Sequence, residues 1–178
     1  MNYFIQSLTY FRIFIAPIIF LLITLYNSYT LAIFLFFLAS ISDYWDGFLA
    51  RKYNLESTIG AVLDPIADKI LITFLILALS IELSSVFIGM TGGLILVREF
   101  WVGALRDYNA RNGNSNATEV TLLAKIKTST QLITFSSYLF GLALNSSLIL
   151  FISNFFLFLA FIITLKTGLS YTVATFKR

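Results

Sequence analysis

The sequence of 178 residues contains no cysteine, no histidine and only two prolines. Without cysteine the chain has no disulfide, no thiolate nucleophile and no cysteine-ligated zinc site. Without histidine it has no serine–histidine triad and no imidazole-ligated metal. Proton transfer or metal binding must therefore use carboxylates, and Asp and Glu together number nine.

Charge is scarce as well, since charged residues make up 12% of the chain and hydrophobic residues 58%. Soluble domains carry about 25% charged and about 45–50% apolar residues, so a water-soluble enzyme is disfavoured. Nineteen Phe and nine Tyr exclude an ordinary disordered chain. The net charge is +3. The basic residues lie between apolar runs, so we expect them to set membrane topology or to bind an anionic substrate or lipid, with no nucleic acid as partner.

Long apolar runs are abundant, and a bilayer-spanning helix needs about 20 mostly apolar residues. Six segments meet this length: Thr9–Tyr26, Leu31–Ala50, Thr58–Leu79, Val86–Tyr108, Val120–Leu144 and Leu148–Tyr171. They leave no room for a separate soluble domain. Residues 1–178 are therefore predicted to form a single all-α integral membrane bundle of six transmembrane helices.

The Lys and Arg residues predict the orientation of this bundle. Alternate loops carry Arg51 and Lys52 or Arg106 and Arg111, and the chain ends in two basic residues, whereas the opposite loops contain neither Lys nor Arg. Because cytoplasmic loops are enriched in Lys and Arg, we expect both termini to be cytoplasmic, in a multi-pass protein of the cell (inner) membrane.

Four of the acidic residues fall inside predicted spans, at Asp43, Asp46, Asp64 and Asp68. A charge at the centre of a span costs about 2.5–3.5 kcal/mol, so these acids need compensation. Residues three or four apart share a helix face, and a short connection makes the second and third helices antiparallel neighbours. Three or four carboxylates are therefore expected to converge and to bind a hard cation such as Mg²⁺ or Mn²⁺, which serves phosphate chemistry. The alternative is that Asp43 and Asp46 are membrane-boundary residues and that Asp64 and Asp68 pair with Lys69 and Arg51.

Small residues accompany the acids. Gly47 and Ala50 continue the face of the first acidic pair, and Gly60 precedes the second pair. They leave room for a bulky ligand, and Arg51 supplies a cation suited to a phosphate oxygen. Close packing of helices is the alternative explanation for the small residues.

The run DYWDGFLAR from Asp43 to Arg51, followed by Gly60, Asp64 and Asp68, resembles the signature D-x2-D-G-x2-A-R-x8-G-x3-D-x3-D of the CDP-alcohol phosphotransferase family. All eight fixed positions are present. The segment SLTYFR, which ends at Arg12, is similar to the family's L-T-x-x-R run.

The resemblance implies a six-helix membrane enzyme, usually a homodimer, that moves a phosphoalcohol group from a CDP-alcohol to a second alcohol and releases CMP. It implies two divalent cations (Mg²⁺ or Mn²⁺) at the site. The residues are carried over by position. The implied metal ligands are Asp43, Asp46, Asp64 and Asp68, with Asp68 also the general base. The implied CDP-lipid-binding residues are Gly47, Ala50, Arg51, Ser57 and Gly60.

Two downstream runs, REFWVGALR from Arg98 to Arg106 and AKIKT around Lys125 and Lys127, resemble those of phosphatidylglycerophosphate synthases, a branch of this family. Arg98 and Arg106 are eight apart and project from one helix face. These four cations are expected to hold an acceptor phosphate. The alternative is that Arg98 pairs with Glu99 or Glu82, and that the two lysines serve only topology.

The resemblance thus implies transfer of the phosphatidyl group from CDP-diacylglycerol to sn-glycerol 3-phosphate, with membrane lipid as the surroundings. Two alternatives remain at this point. One is another acceptor in the same family (inositol phosphate, serine or phosphatidylglycerol). The other is a small cation-coupled transporter that uses the acids as its path.

Overall fold

A computed structural model describes residues 2–53, 58–114 and 122–177 and contains six α-helices there. Their bounds are α1 Asn2–Thr24, α2 Tyr29–Tyr53, α3 Thr58–Glu82, α4 Val86–Arg111, α5 Leu122–Ala143 and α6 Ser147–Phe176. The described residues contain no strand, so the all-α prediction is confirmed for them.

The helices occupy the predicted runs and extend beyond most of their ends. α1 begins at Asn2 rather than near Thr9, because a helix continues past the apolar stretch by which a span is recognised. Polar residues in the left-handed region follow three helices: Asn27 (φ 50°), Ser84 (φ 45°) and Asn145 (φ 48°). This conformation commonly ends a helix. Ser146 then caps α6 by accepting a bond from the Ile149 N–H.

Three of the described helical segments are long and apolar enough to cross a membrane: Ser7–Thr24, Val86–Arg111 and Ser147–Phe176. Large apolar side chains also lie exposed along the helices, among them Phe14, Phe34, Val97 and Phe151. Aromatic and aliphatic faces of this extent are typical of helices surrounded by lipid. The full count of six spans stays a prediction.

The first of two compact units comprises residues 1–85 and 142–144. In it α1 packs against both α2 and α3. The α1 face toward these neighbours is formed by Ala16, Ile19 and Ile23, which are fully buried and recur every three or four residues. At one end of the unit, the Tyr29 hydroxyl donates a 2.5 Å bond to Glu82, joining the start of α2 to the end of α3. Helix α1 is thus the element that the acid-bearing helices share.

The second unit comprises residues 86–141 and 145–178, and in it α4 packs against α6. Among the described residues, hydrogen bonds that join these helices include Arg98–Thr167 (2.5 Å), Trp101–Thr172 (2.9 Å) and Asn109–Thr175 (2.9 Å). The partner numbers rise together, so α4 and α6 run parallel, with α5 returning between them in the chain. The prediction that residues 1–178 form a single domain stays a prediction.

Candidate active site

Three of the four motif aspartates contact one guanidinium group. Arg12 of α1 donates through Nη1 to the Oδ1 atoms of Asp43 and Asp68, the latter at 2.9 Å. Its Nη2 donates to Asp64 Oδ1 at 3.2 Å. Arg12 is fully buried, whereas the three aspartate side chains are 41–51% exposed. The carboxylates therefore lie over a buried cation and remain accessible on their outer side.

Helical periodicity explains this convergence. Asp64 and Asp68 are four residues apart on α3, and Thr9 and Arg12 are three apart on α1, so each pair shares a helix face. The Thr9 hydroxyl donates a 2.7 Å bond to the same Asp64 oxygen that contacts Arg12. Asp64 is therefore held by two neighbouring residues of α1, which fixes α1 against α3 at this level.

Sequence reasoning placed the acids correctly on their helices but did not identify the residue that joins them. The sequence predicts that the acids of α2 and α3 converge because the two helices are neighbours, with Lys69 and Arg51 as alternative partners of Asp64 and Asp68. In the structure α1 contributes the cation, since Arg12 reaches both helices. The signal was present, because an arginine within an apolar run must be compensated.

Several predicted residues are described in part or not at all. Asp46, Gly47, Ala50 and Arg51 lie in α2, where the structure describes their backbone only, and Ser57 lies outside the described residues. Gly60 is described, half-buried and one helical turn before Asp64. Within the described residues there is no group of three acidic side chains spaced to hold one metal ion between them.

The chemistry of the donor set nevertheless fits a hard divalent cation. Oxygen ligands are what Mg²⁺ and Mn²⁺ prefer, and the chain offers carboxylates with neither Cys nor His to compete. A cation already lies among three of these carboxylates, in the form of the Arg12 guanidinium. The assignment of individual aspartates as metal ligands stays a prediction.

The second unit brings two of the four predicted acceptor-binding cations together. Glu99 Oε1 accepts from Lys127 Nζ at 2.6 Å and from Arg98 Nη1 at 3.2 Å. Arg98 is buried, and its Nη2 donates to Thr167 Oγ1 at 2.5 Å. The pairing of Arg98 with Glu99, one of the two alternatives, is thus present, but Glu99 is shared between two cations and balances only one of them.

The other two cations differ in their surroundings. Arg106 is exposed, with its guanidinium 6.0 Å from the centre of the Tyr171 ring. The side chain of Lys125 lies outside the described residues. Gly168 of α6 touches Arg98 closely, because a Cβ added there would lie 2.9 Å from Arg98 Cγ and Nε. The sequence names Glu99 only as the alternative partner of Arg98, and it gives no sign of Thr167 or Gly168, because the pattern within α4 does not show which residues of α6 lie beside it.

Known proteins are similar to this chain in sequence, including the segments that carry these residues. A profile of the CDP-alcohol phosphatidyltransferase family matches residues 6–167, which include Arg12 and the four motif aspartates. A relative from Rickettsia felis, named CDP-diacylglycerol–glycerol-3-phosphate 3-phosphatidyltransferase, is 39% identical over 96% of this chain and 93% of its own. Relatives of the same name from Wigglesworthia glossinidia brevipalpis and Escherichia coli K12 are 37% and 31% identical, over 74% and 71% of this chain and 74% and 70% of their own. The chain therefore belongs to the CDP-alcohol phosphatidyltransferase family.

Proposed function

We propose that this chain transfers the phosphatidyl group of CDP-diacylglycerol to sn-glycerol 3-phosphate, giving phosphatidylglycerophosphate and CMP in phospholipid biosynthesis. The observation that carries the proposal is the convergence of Asp43, Asp64 and Asp68 on one buried cation. The relatives named for this reaction supply the donor and the acceptor.

The reaction is an in-line displacement at phosphorus. The 1-hydroxyl of glycerol 3-phosphate attacks the phosphorus that bears diacylglycerol, and the bond to CMP breaks. Asp68, half-exposed at the cluster, accepts the hydroxyl proton. Two divalent cations, Mg²⁺ or Mn²⁺, held by Asp43, Asp46, Asp64 and Asp68, would neutralise the diphosphate and stabilise charge on the leaving group.

We assign the CDP-diacylglycerol site to the small residues of the motif, to its arginine and to Ser57. Gly47, Ala50 and Gly60 leave space for the CDP head group, and Arg51 and Ser57 supply a cation and a hydroxyl to it. The acyl chains remain in the bilayer, which is why a membrane helix bundle suits this substrate.

The acceptor phosphate is assigned to Arg98, Arg106, Lys125 and Lys127. Support comes from Arg98 and Lys127, which share the single carboxylate of Glu99 and so retain one positive charge between them. A phosphate oxygen is a strong acceptor for guanidinium and ammonium donors. Inositol or serine carries no phosphate and would not need such a set of cations.

We also propose six membrane crossings with both termini in the cytoplasm, an active site on the cytoplasmic face of the inner membrane, and a homodimer. The distribution of Lys and Arg between loops supports the orientation. The exposed apolar faces suit contact with lipid or with a second copy.

CMP release tests the enzymatic part of the proposal. Purified protein in detergent is given CDP-diacylglycerol and glycerol 3-phosphate with Mg²⁺ or Mn²⁺, or with EDTA. We expect CMP only when both substrates and a divalent cation are present. Cation flux in proteoliposomes without CMP release would instead identify a transporter and refute the proposal.

A further inference from the structure

The position of Arg12 has a consequence beyond the proposed reaction. Its side chain is fully buried, and an arginine in that position is strongly unfavourable unless acceptors surround it. Its contacts with Asp43, Asp64 and Asp68 bring carboxylates of two other helices to one point. These contacts involve the very side chains that the proposed function assigns to divalent cations.

The charges at this point are unequal. One guanidinium faces three carboxylates, so the four groups together carry surplus negative charge. Carboxylates gathered on one guanidinium group repel one another, and the three acids would separate without a counter-charge. Arg12 supplies part of that counter-charge from the buried side, while the outer side of the three carboxylates is exposed.

We propose that Arg12 is the internal counter-ion of the acidic cluster, a positioning residue that keeps Asp43, Asp64 and Asp68 together when no divalent cation is bound and competes with that cation for their oxygens. The inference rests on the divalent-cation binding of the proposed function. It predicts that Arg12 weakens cation binding while it stabilises the cation-free protein.

Arginine suits this role better than lysine. Its planar fork directs five N–H donors, so Nη1 serves Asp43 and Asp68 while Nη2 serves Asp64. An ammonium group is a compact point charge and does not span three acceptors on two helices in the same way. A lysine substitution therefore separates the effect of charge from the effect of geometry.

The experiment measures Mn²⁺ affinity without substrates, by electron paramagnetic resonance of free Mn²⁺, on full-length protein in detergent. We expect Arg12→Met to bind Mn²⁺ about tenfold more tightly than the wild type, because a neighbouring positive charge has been removed. Arg12→Lys keeps the charge and should stay near the wild-type affinity. Tyr29→Phe is the matched control, since it removes another interhelical hydrogen bond of the same unit, about 20 Å along α2 from Asp43. It should leave Mn²⁺ affinity unchanged.

Thermal unfolding in EDTA provides the second readout. Arg12→Met should unfold at a lower temperature than the wild type in EDTA, and saturating Mn²⁺ should recover most of the difference. Adding Asp43→Asn to Arg12→Met should raise the unfolding temperature in EDTA, because it restores the charge balance. If Arg12→Met alone is recovered unfolded, a folded double variant would support the counter-ion role, because it restores the charge balance.

The outcomes distinguish failure of the counter-ion role of Arg12 from failure of the proposed enzymatic function. Wild-type protein that binds Mn²⁺, together with a folded Arg12→Met that binds it equally or more weakly, overturns the counter-ion role and leaves the proposed function intact. A double variant less stable than Arg12→Met overturns it as well. Wild-type protein that neither binds Mn²⁺ nor releases CMP overturns the proposed function and the inference together.

Discussion

Lys127, near the start of α5, donates a 2.6 Å hydrogen bond to the Oε1 atom of Glu99 in α4. The same oxygen accepts from the buried Arg98 at 3.2 Å. One carboxylate therefore orients two cations from different helices and leaves one positive charge uncompensated between them. A preoriented cation pair of this kind suits the capture of a phosphate group.

Replacing Lys127 tests this assignment. Lys127→Met should raise the KM for glycerol 3-phosphate about ten- to hundredfold, because a hydrogen bond to a charged group is lost, and should barely change the KM for CDP-diacylglycerol. Steady-state kinetics with each substrate varied in turn gives both values. Lys166→Met, at an exposed lysine of α6, is the control and should change neither. An equal rise in both KM values would contradict the assignment.

A methyl group at Gly168 of α6 should disturb the proposed acceptor site, because Gly168 lies against Arg98. The added Cβ of Gly168→Ala would lie 2.9 Å from Arg98 Cγ and Nε, so the arginine has to shift. We expect a several-fold increase in the KM for glycerol 3-phosphate. Gly93→Ala in α4 has nothing within 4 Å of its Cβ and should bind the acceptor normally. Steady-state kinetics gives the KM for glycerol 3-phosphate of both variants. Equal KM values for Gly168→Ala and Gly93→Ala would argue against a role for Arg98.

Stability should depend on the hydroxyl that faces Arg98. Thr167→Val removes the 2.5 Å bond to a buried cation and should lower the free energy of unfolding by about 1–3 kcal/mol. Thr172→Val removes the 2.9 Å bond to the exposed Trp101 and should lower it by less, about 0.5 kcal/mol. Unfolding in detergent measures both. A smaller loss for Thr167→Val than for Thr172→Val would show that Arg98 does not depend on this bond.

The proposed general base is tested by a nearly isosteric change. Asp68→Asn should reduce CMP release by about 10²–10⁴-fold, because the amide does not accept the hydroxyl proton. Far-UV circular dichroism should show an unchanged helix content. Asp107→Asn, at an exposed aspartate of α4, serves as the control with wild-type turnover. Near-normal turnover of Asp68→Asn would remove Asp68 from the mechanism.

Apolar length and the polar breaks between runs predict the helices well. In the described breaks, residues such as Asn145 and Ser146 end or cap a helix. The spacing of Asp64 and Asp68 likewise predicts their common face. Which third helix approaches that face is a question of tertiary packing, and periodicity within one segment does not answer it. The contact of Arg12 with acids 31 to 56 residues away therefore became evident only in the structure. The same is true of the contact between Gly168 and Arg98.

The most direct measurement follows labelled glycerol 3-phosphate into lipid. Purified protein, CDP-diacylglycerol and Mg²⁺ or Mn²⁺ are incubated with labelled glycerol 3-phosphate and, in parallel, with labelled inositol phosphate, serine or phosphatidylglycerol. The account predicts an organic-soluble labelled product from glycerol 3-phosphate, formed with one CMP for each label transferred and abolished by EDTA. Labelled lipid formed with CMP release from another acceptor, and none from glycerol 3-phosphate, would contradict it.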